Sequence, residues 1–304
     1  MSTPSATTPP TTSPPITPRI VDYMCSSFLP DRAAIWDDAL AAQGIPLKIR
    51  RNPDDSFCDG PTMVARMDEL GYDTIVVSTS DMHHHGTAFE YDPVANRIDE
   101  MEALATRYPG RFAANWAVNP QLGMAGVRRA REVLQHPWVA ALWIHTHSFD
   151  RRFDHADYYP YYALAAEHGV PVVMQAGASG GLMPSECGAP IGIDRPAIYF
   201  RDVNFVLSHT GHPWEGETVN MALKFPNVYL GACAYPPKYW PPSLHTFLRG
   251  PGRTKMLFGT NFPTVGHRHV LSQLTELDLA PETYRNFVCD NARRVFGRLT
   301  PPRR

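Results

Sequence analysis

Eight short apolar runs, each followed by an amphipathic stretch, constrain the fold of this chain more than any other feature. Arg19–Met24, Asp73–Ser78, Phe112–Val118, Val139–His145, Val172–Gln175, Asn204–His209, Val228–Ala232 and Lys255–Thr260 are short, continuous and rich in β-branched or aromatic residues. Strands covered on both faces read this way, because a parallel sheet lies between layers of helix. The intervals repeat apolar residues at three and four: Thr62–Leu70, Ala95–Tyr108, Met124–Gln135, Tyr158–His168, Glu215–Phe225, Leu271–Leu277 and Pro281–Phe296. Gly169 followed by Val170-Pro171 is a helix stop that leads into a strand. Such alternation predicts an α/β fold, either a closed barrel or a doubly wound sheet. No G-x-G-x-x-G follows the first run and no phosphate loop occurs, so a (β/α)8 TIM barrel is expected.

The 304 residues suit one barrel of roughly 250 residues with tails. Residues 1–18 are Pro, Thr and Ser with no basic or apolar block, and read as a disordered tail and not a signal peptide. The barrel is expected over 19–299, with 30–60 as a lid inserted after the first strand and 300–304 as a second tail. Charged residues are 19% and the formal net charge is -2. That leaves no basic field for nucleic acid or an anionic membrane, so the expected partner is a small molecule, with a homo-oligomer left open. No apolar run approaches the roughly 18 residues of a membrane span. Five cysteines without a C-x-x-C argue for a reducing, cytoplasmic setting.

Barrels of this kind carry their sites at the C-terminal ends of the strands. Those ends hold Met24-Cys25-Ser26, Ser80-Asp81 with His83-His84-His85, Asn115-Trp116, His145-Thr146-His147, Gln175, Ser208-His209 with His212, Cys233 with Tyr235, and Thr260-Asn261. Core packing alone does not concentrate imidazoles and amides there. Of His145 and His147, only one is expected to face the barrel interior, and His145 is taken. Trp116, Trp143, Trp214 and Tyr235 are expected to wall the mouth for a planar substrate.

The run Val206-Leu207-Ser208-His209-Thr210-Gly211-His212-Pro213-Trp214 resembles the sixth-strand motif of the amidohydrolase-related family, the group of aminocarboxymuconate semialdehyde decarboxylase. Phe225-Pro226-Asn227-Val228-Tyr229-Leu230, Tyr239-Trp240-Pro241-Pro242, Leu257-Phe258-Gly259-Thr260-Asn261-Phe262-Pro263 and Asn291-Ala292-Arg293-Arg294-Val295-Phe296 are similar to that family in the same order. The resemblance implies a divalent metal held by D-x-H-x-H on the first strand, a histidine on the fifth and an aspartate on the eighth. Here those positions hold Met24, Ser26, Gln175 and Asn261. Such residues make a poor ligand set for zinc, and an amide cannot serve as a base near neutral pH. The histidine that the family uses as acid or base is kept as His209.

The sequence therefore predicts an enzyme with no metal cofactor. His209, His145 and Asn261 are the expected catalytic residues. Gln175, Trp116, Trp143, Trp214, His212, Tyr235, Ser26 and Met24 are expected to bind substrate. The favoured reaction is hydrolysis of an activated ester, a lactone or a carbon–carbon bond next to a carbonyl. The alternatives are non-oxidative decarboxylation of an aromatic or β-keto acid, and a non-catalytic binding protein. A zinc site rebuilt from His83 to His85, His145, His147, His209 and His212 is a further alternative.

Overall fold

The computed structural model describes residues 19–26, 28–33, 55–79, 97–299 and the backbone of 82–83 and 90–91. Eight parallel strands form the barrel wall in chain order: β1 (Ile20–Cys25), β2 (Tyr72–Ser78), β3 (Phe112–Ala117), β4 (Val139–Ile144), β5 (Val172–Met174), β6 (Phe205–Leu207), β7 (Val228–Ala232) and β8 (Met256–Phe258). Each matches one apolar run of the sequence to within three residues at either end. Nearly every strand residue is buried, as a sheet between barrel core and helix layer requires. A short antiparallel pair, Met82–His83 with Glu90–Tyr91, stands apart from the wall.

Helices return the chain between strands. The first, α1 (Gly60–Leu70), starts where the Asp59 side chain accepts from the Thr62 amide at 3.0 Å and ends at Gly71 with φ 81°. Then come α2 (Ile98–Arg107), α3 (Gly123–Val133), α4 (Tyr159–His168), α5 (Asp194–Tyr199), α6 (Glu215–Lys224), α7 (Pro242–Arg249) and α8 (His267–Leu274). The C-terminal segment Pro281–Arg285, Asn286–Asp290 and Asn291–Val295 is helical with a π-turn in its middle. Behind it Arg298 donates to the carbonyls of Leu134, Val139 and His168 at 2.9–3.2 Å, which ties the chain end to β4 and α4. Of the expected lid, 30–60, residues 34–54 lie outside the described residues. No helix among the described residues is long and apolar enough to cross a membrane.

Closure of the barrel decides where the site lies. No sheet ladder joins β8 to β1. The Asp22 carboxylate bridges the seam instead. It accepts from the Met24 amide at 3.0 Å on one side, and from the Thr260 amide at 3.0 Å and hydroxyl at 2.6 Å on the other. Above it Asn261 N donates to Met24 O at 2.7 Å and Ser26 N to Phe262 O at 2.8 Å. The seam is thereby zipped at the strand ends, and Ser26 and Asn261 are set side by side. Tyr23 lies deeper, fully buried against Gly231 and Gly259; a β-carbon at Gly231 would clash with its hydroxyl.

Candidate active site

The centre of the mouth is a chain of neutral hydrogen bonds through His209. Ser208 has one hydroxyl proton, and it goes to the Met174 carbonyl at 2.8 Å. Ser208 Oγ therefore accepts from His209 Nδ1–H at 2.7 Å. This leaves Nε2 unprotonated, and it accepts from the Asn261 carboxamide N–H at 3.1 Å. Asn261 Oδ1 in turn accepts from the Ser26 hydroxyl at 2.8 Å. Every donor and acceptor in the chain is matched in one direction only. Burial, then the nearby His147 imidazole, push the His209 pKa down to about 3. The ring is neutral at any ordinary pH.

The backbone around this chain is strained where the side chains meet. His209 has φ 59°, Thr210 56°, Ala234 66° and Asn261 54°. Non-glycine residues in this region cost about 1–3 kcal/mol each and persist only where surrounding bonds over-determine them. For His209 one such bond is its amide to Cys233 Sγ at 3.4 Å, the same sulfur that accepts from the Tyr23 hydroxyl at 3.1 Å.

A second imidazole pair lies beside the first. His145 Nδ1 is 2.8 Å from Ser148 Oγ, and His147 Nε2 is 2.9 Å from the Gly177 carbonyl. Trp143 stands between the groups, its ring centre 6.2 Å from His145 and 6.4 Å from His209. Both histidines are buried, 5.6 Å apart. The expectation that the two alternate along one strand is corrected here. Residues two apart share a face of a strand, and β4 ends at Ile144, so His147 sits in the turn Thr146–Phe149. Burial holds the His147 pKa down at about 4.

The other expected residues divide by place. The Gln175 carboxamide follows β5, is 8% exposed, and has no hydrogen-bond partner among the described residues. It is a neutral donor and acceptor open to a ligand. Tyr235 packs on His212 at 4.8 Å, and His212 is itself half-exposed with Nδ1 2.7 Å from Glu215. Trp214 is half-buried and caps α6 with its carbonyl, which accepts from the Thr218 amide and hydroxyl. Met24 is buried, its sulfur 3.8 Å from Cys233 Sγ, so it packs beneath the mouth. Trp116 is the second correction. Trp143 faces the mouth and pairs in register with Ala117, so Trp116, the next residue along, lies on the opposite face of β3, fully buried. It is core on the helix side and no wall of the mouth.

Sequence reasoning gave no role to Ser208, which pairs with His209 Nδ1 opposite Asn261, or to Thr260, which holds Asp22. A hydroxyl directly before a strand-end histidine and one directly before Asn261 were the available signals. The thiol of Cys25, between Met24 and Ser26, is fully buried and its pKa is driven well above the ordinary range, first by burial and then by Asp22, which makes it inert packing.

The residues at the family's metal positions do not fit a divalent ion. A ligand must turn a lone pair to the cation. Here Asn261 turns an N–H toward Nε2 of His209, its oxygen is taken by Ser26, and the Met24 sulfur lies against Cys233. Among the described residues no three His, Cys, Asp or Glu side chains gather as a metal group. Of the proposed relocated set, His147 is bonded to a carbonyl and His212 to Glu215. The side chains of His83 to His85 lie outside the described residues.

The amidohydrolase family matches residues 62–298, more than half of the chain. The chain belongs to the amidohydrolase family. No curated protein matches the sequence. Among solved structures, an uncharacterised TIM-barrel protein of Bordetella bronchiseptica superposes with a TM-score of 0.75 at 20% identity, covering 92% of this chain and 99% of that one. The 5-carboxyvanillate decarboxylase of Sphingomonas paucimobilis gives 0.62 at 16% identity, over 92% and 99%. A dihydroxybenzoic acid decarboxylase of Polaromonas sp. JS666, with bound manganese and 2-nitroresorcinol, gives 0.62 at 14% identity, over 92% and 97%. Likeness at these identities carries the amidohydrolase barrel.

Proposed function

We propose that this amidohydrolase is a carbon–carbon lyase that removes CO2 from a β-keto or hydroxyaromatic acid, and that it does so without the family's divalent ion. The observation that carries the reading is that the described side chains joined around His209 are all uncharged. Ser26, Asn261 and neutral His209 are joined by hydrogen bonds beside Trp143, the Gln175 carboxamide follows β5, and each is a neutral donor or acceptor. The decarboxylases among the similar structures support the reaction class. This reverses the order that the sequence favoured, which placed hydrolysis first.

Uncharged, buried surroundings favour loss of CO2 for a physical reason. A carboxylate moved there loses its hydration, while the enolate or phenolate left behind spreads the same charge over more atoms. The oxygen that takes the charge needs preorganised donors, and the carboxamides of Asn261 and Gln175 supply them. The carbon that loses CO2 needs one proton. Entry of the anion raises the proton affinity of His209, since an opposite charge nearby favours the imidazolium. As the Asn261 N–H turns from Nε2 to the substrate oxygen, His209 takes one proton from solvent at Nε2 and delivers it to the carbon. The balance is one acid anion and one proton giving CO2 and the protonated product.

Hydrolysis stays as a second reading on one observation: Nε2 is unprotonated and can accept a proton from water. A panel of β-keto acids, ortho-hydroxybenzoates, aryl esters and lactones in 18O-labelled water separates the two. The expected result is CO2 release equal to substrate consumed, one proton taken up per turnover, and no label in the organic product. Label in a product carboxylate without CO2 would overturn the proposal in favour of hydrolysis.

A further inference from the structure

Asn261 is held in place more firmly than any contact with His209 explains. Its left-handed backbone, φ 54°, is a conformation that an ordinary strand end does not adopt. Five hydrogen bonds fix the residues on either side. The Thr260 amide and hydroxyl both donate to Asp22, and the Thr260 oxygen accepts from the Phe262 amide at 2.9 Å. The Asn261 amide donates to Met24 O, and the Thr264 amide to Asn261 O at 2.9 Å. Behind the carboxylate, His267 stacks on Phe262 at 4.9 Å and brings Nε2 to 3.4 Å from Asp22 Oδ2. Asp22, Thr260 and His267 are all at most 1% exposed.

We propose that Asp22 and Thr260 are positioning residues: they hold Asn261 in the left-handed conformation that aims its carboxamide at His209, and so fix which ring nitrogen carries the proton. The Thr260 hydroxyl is the pivot. Its proton is committed to Asp22, so its oxygen is free to accept from Phe262, and the two bonds set the backbone before and after Asn261. Without them residue 261 relaxes toward an extended conformation, which carries its side chain away from Nε2. The imidazole would then keep its bond to Ser208 but lose the donor that reserves Nε2 as the unprotonated nitrogen. Both tautomers would become accessible, because the Ser208 hydroxyl, which now donates to the Met174 carbonyl, could turn to donate to Nδ1 once Nε2 is free to carry the proton. The inference rests on the reading of His209 as the acid–base group.

The test needs no substrate, so it can fail while the proposed reaction stands, and the reverse. The ring nitrogens of His209 are followed by 15N NMR, assigned among the 13 histidines by their loss in His209→Asn. Wild type and Thr260→Ser are expected to show one pinned tautomer, with Nε2 at the unprotonated position and Nδ1 at the protonated one. Thr260→Val and Asp22→Asn are expected to shift both signals toward the average of two exchanging tautomers. A role in stability alone would lower the melting temperature and leave those signals where they are. A folded Thr260→Val chain with the wild-type tautomer overturns the proposal. So does a Thr260→Val chain that does not fold, because the bracket would then serve the barrel and not Asn261.

Discussion

Between pH 6.5 and about pH 5 the folded chain is expected to lose on the order of 3 kcal/mol of stability, through two histidines. His209 and His147 are buried as neutral rings, with pKa values held down at about 3 and about 4, in each case first by burial. In the unfolded chain both take up protons near 6.5, the ordinary value. Between those limits the unfolded state holds more protons, so falling pH draws the equilibrium toward it. The stabilisation is complete above 6.5 and is lost as pH falls, at up to about 1.4 kcal/mol per pH unit for each ring. Urea denaturation at a series of pH values measures it. A midpoint that stays level from pH 7 to pH 5 would mean that the two rings are charged in the folded state.

Replacing His209 by Asn is expected to cut turnover of the decarboxylated acid by about a thousandfold, in the range that loss of a general acid or base produces. Asn is the informative substitute because it accepts the left-handed backbone at φ 59° better than Ala or Gln. The fold should therefore survive, and the melting temperature at pH 8 should stay within a few degrees of wild type. The same variant should lose about half of the acid sensitivity described above, since one of the two buried rings is gone. A variant with wild-type turnover removes His209 from the chemistry. A variant with lost turnover and an unchanged acid profile separates the catalytic role from the buried neutral state.

The barrel was legible because a parallel sheet writes itself as runs of Val, Ile and Leu, and all eight runs are strands. Helices α5 and α7 lie outside the amphipathic stretches read from the sequence; α7 opens on Pro242, and Pro at the first positions of a helix starts it. At the site, motif alignment singled out His209 and Asn261, and the fold brings their side chains to 3.1 Å. Direction read poorly. Trp116 was placed at the mouth by its nearness to the strand end, although alternation with Trp143 through the Ala117 register turns it outward. His147 was set aside by a misapplied period. The hydrogen-bond partners were illegible because they join distant segments: Ser26 meets Asn261 and Asp22 meets Thr260 only when β1 and β8 close the barrel. No local pattern records a contact of that kind.

Met24, Ser26, Gln175 and Asn261 are proposed to stand in place of a metal centre on an amidohydrolase barrel that keeps its strand-six histidine. Metal analysis of the full chain, after equilibration with zinc and manganese and removal of free ions, tests it most directly. The account predicts less than about a tenth of an equivalent of either metal per chain, because the site turns an amide N–H and not a lone pair to where a ligand would point. One equivalent per chain, lost in a His209→Asn variant, would contradict it.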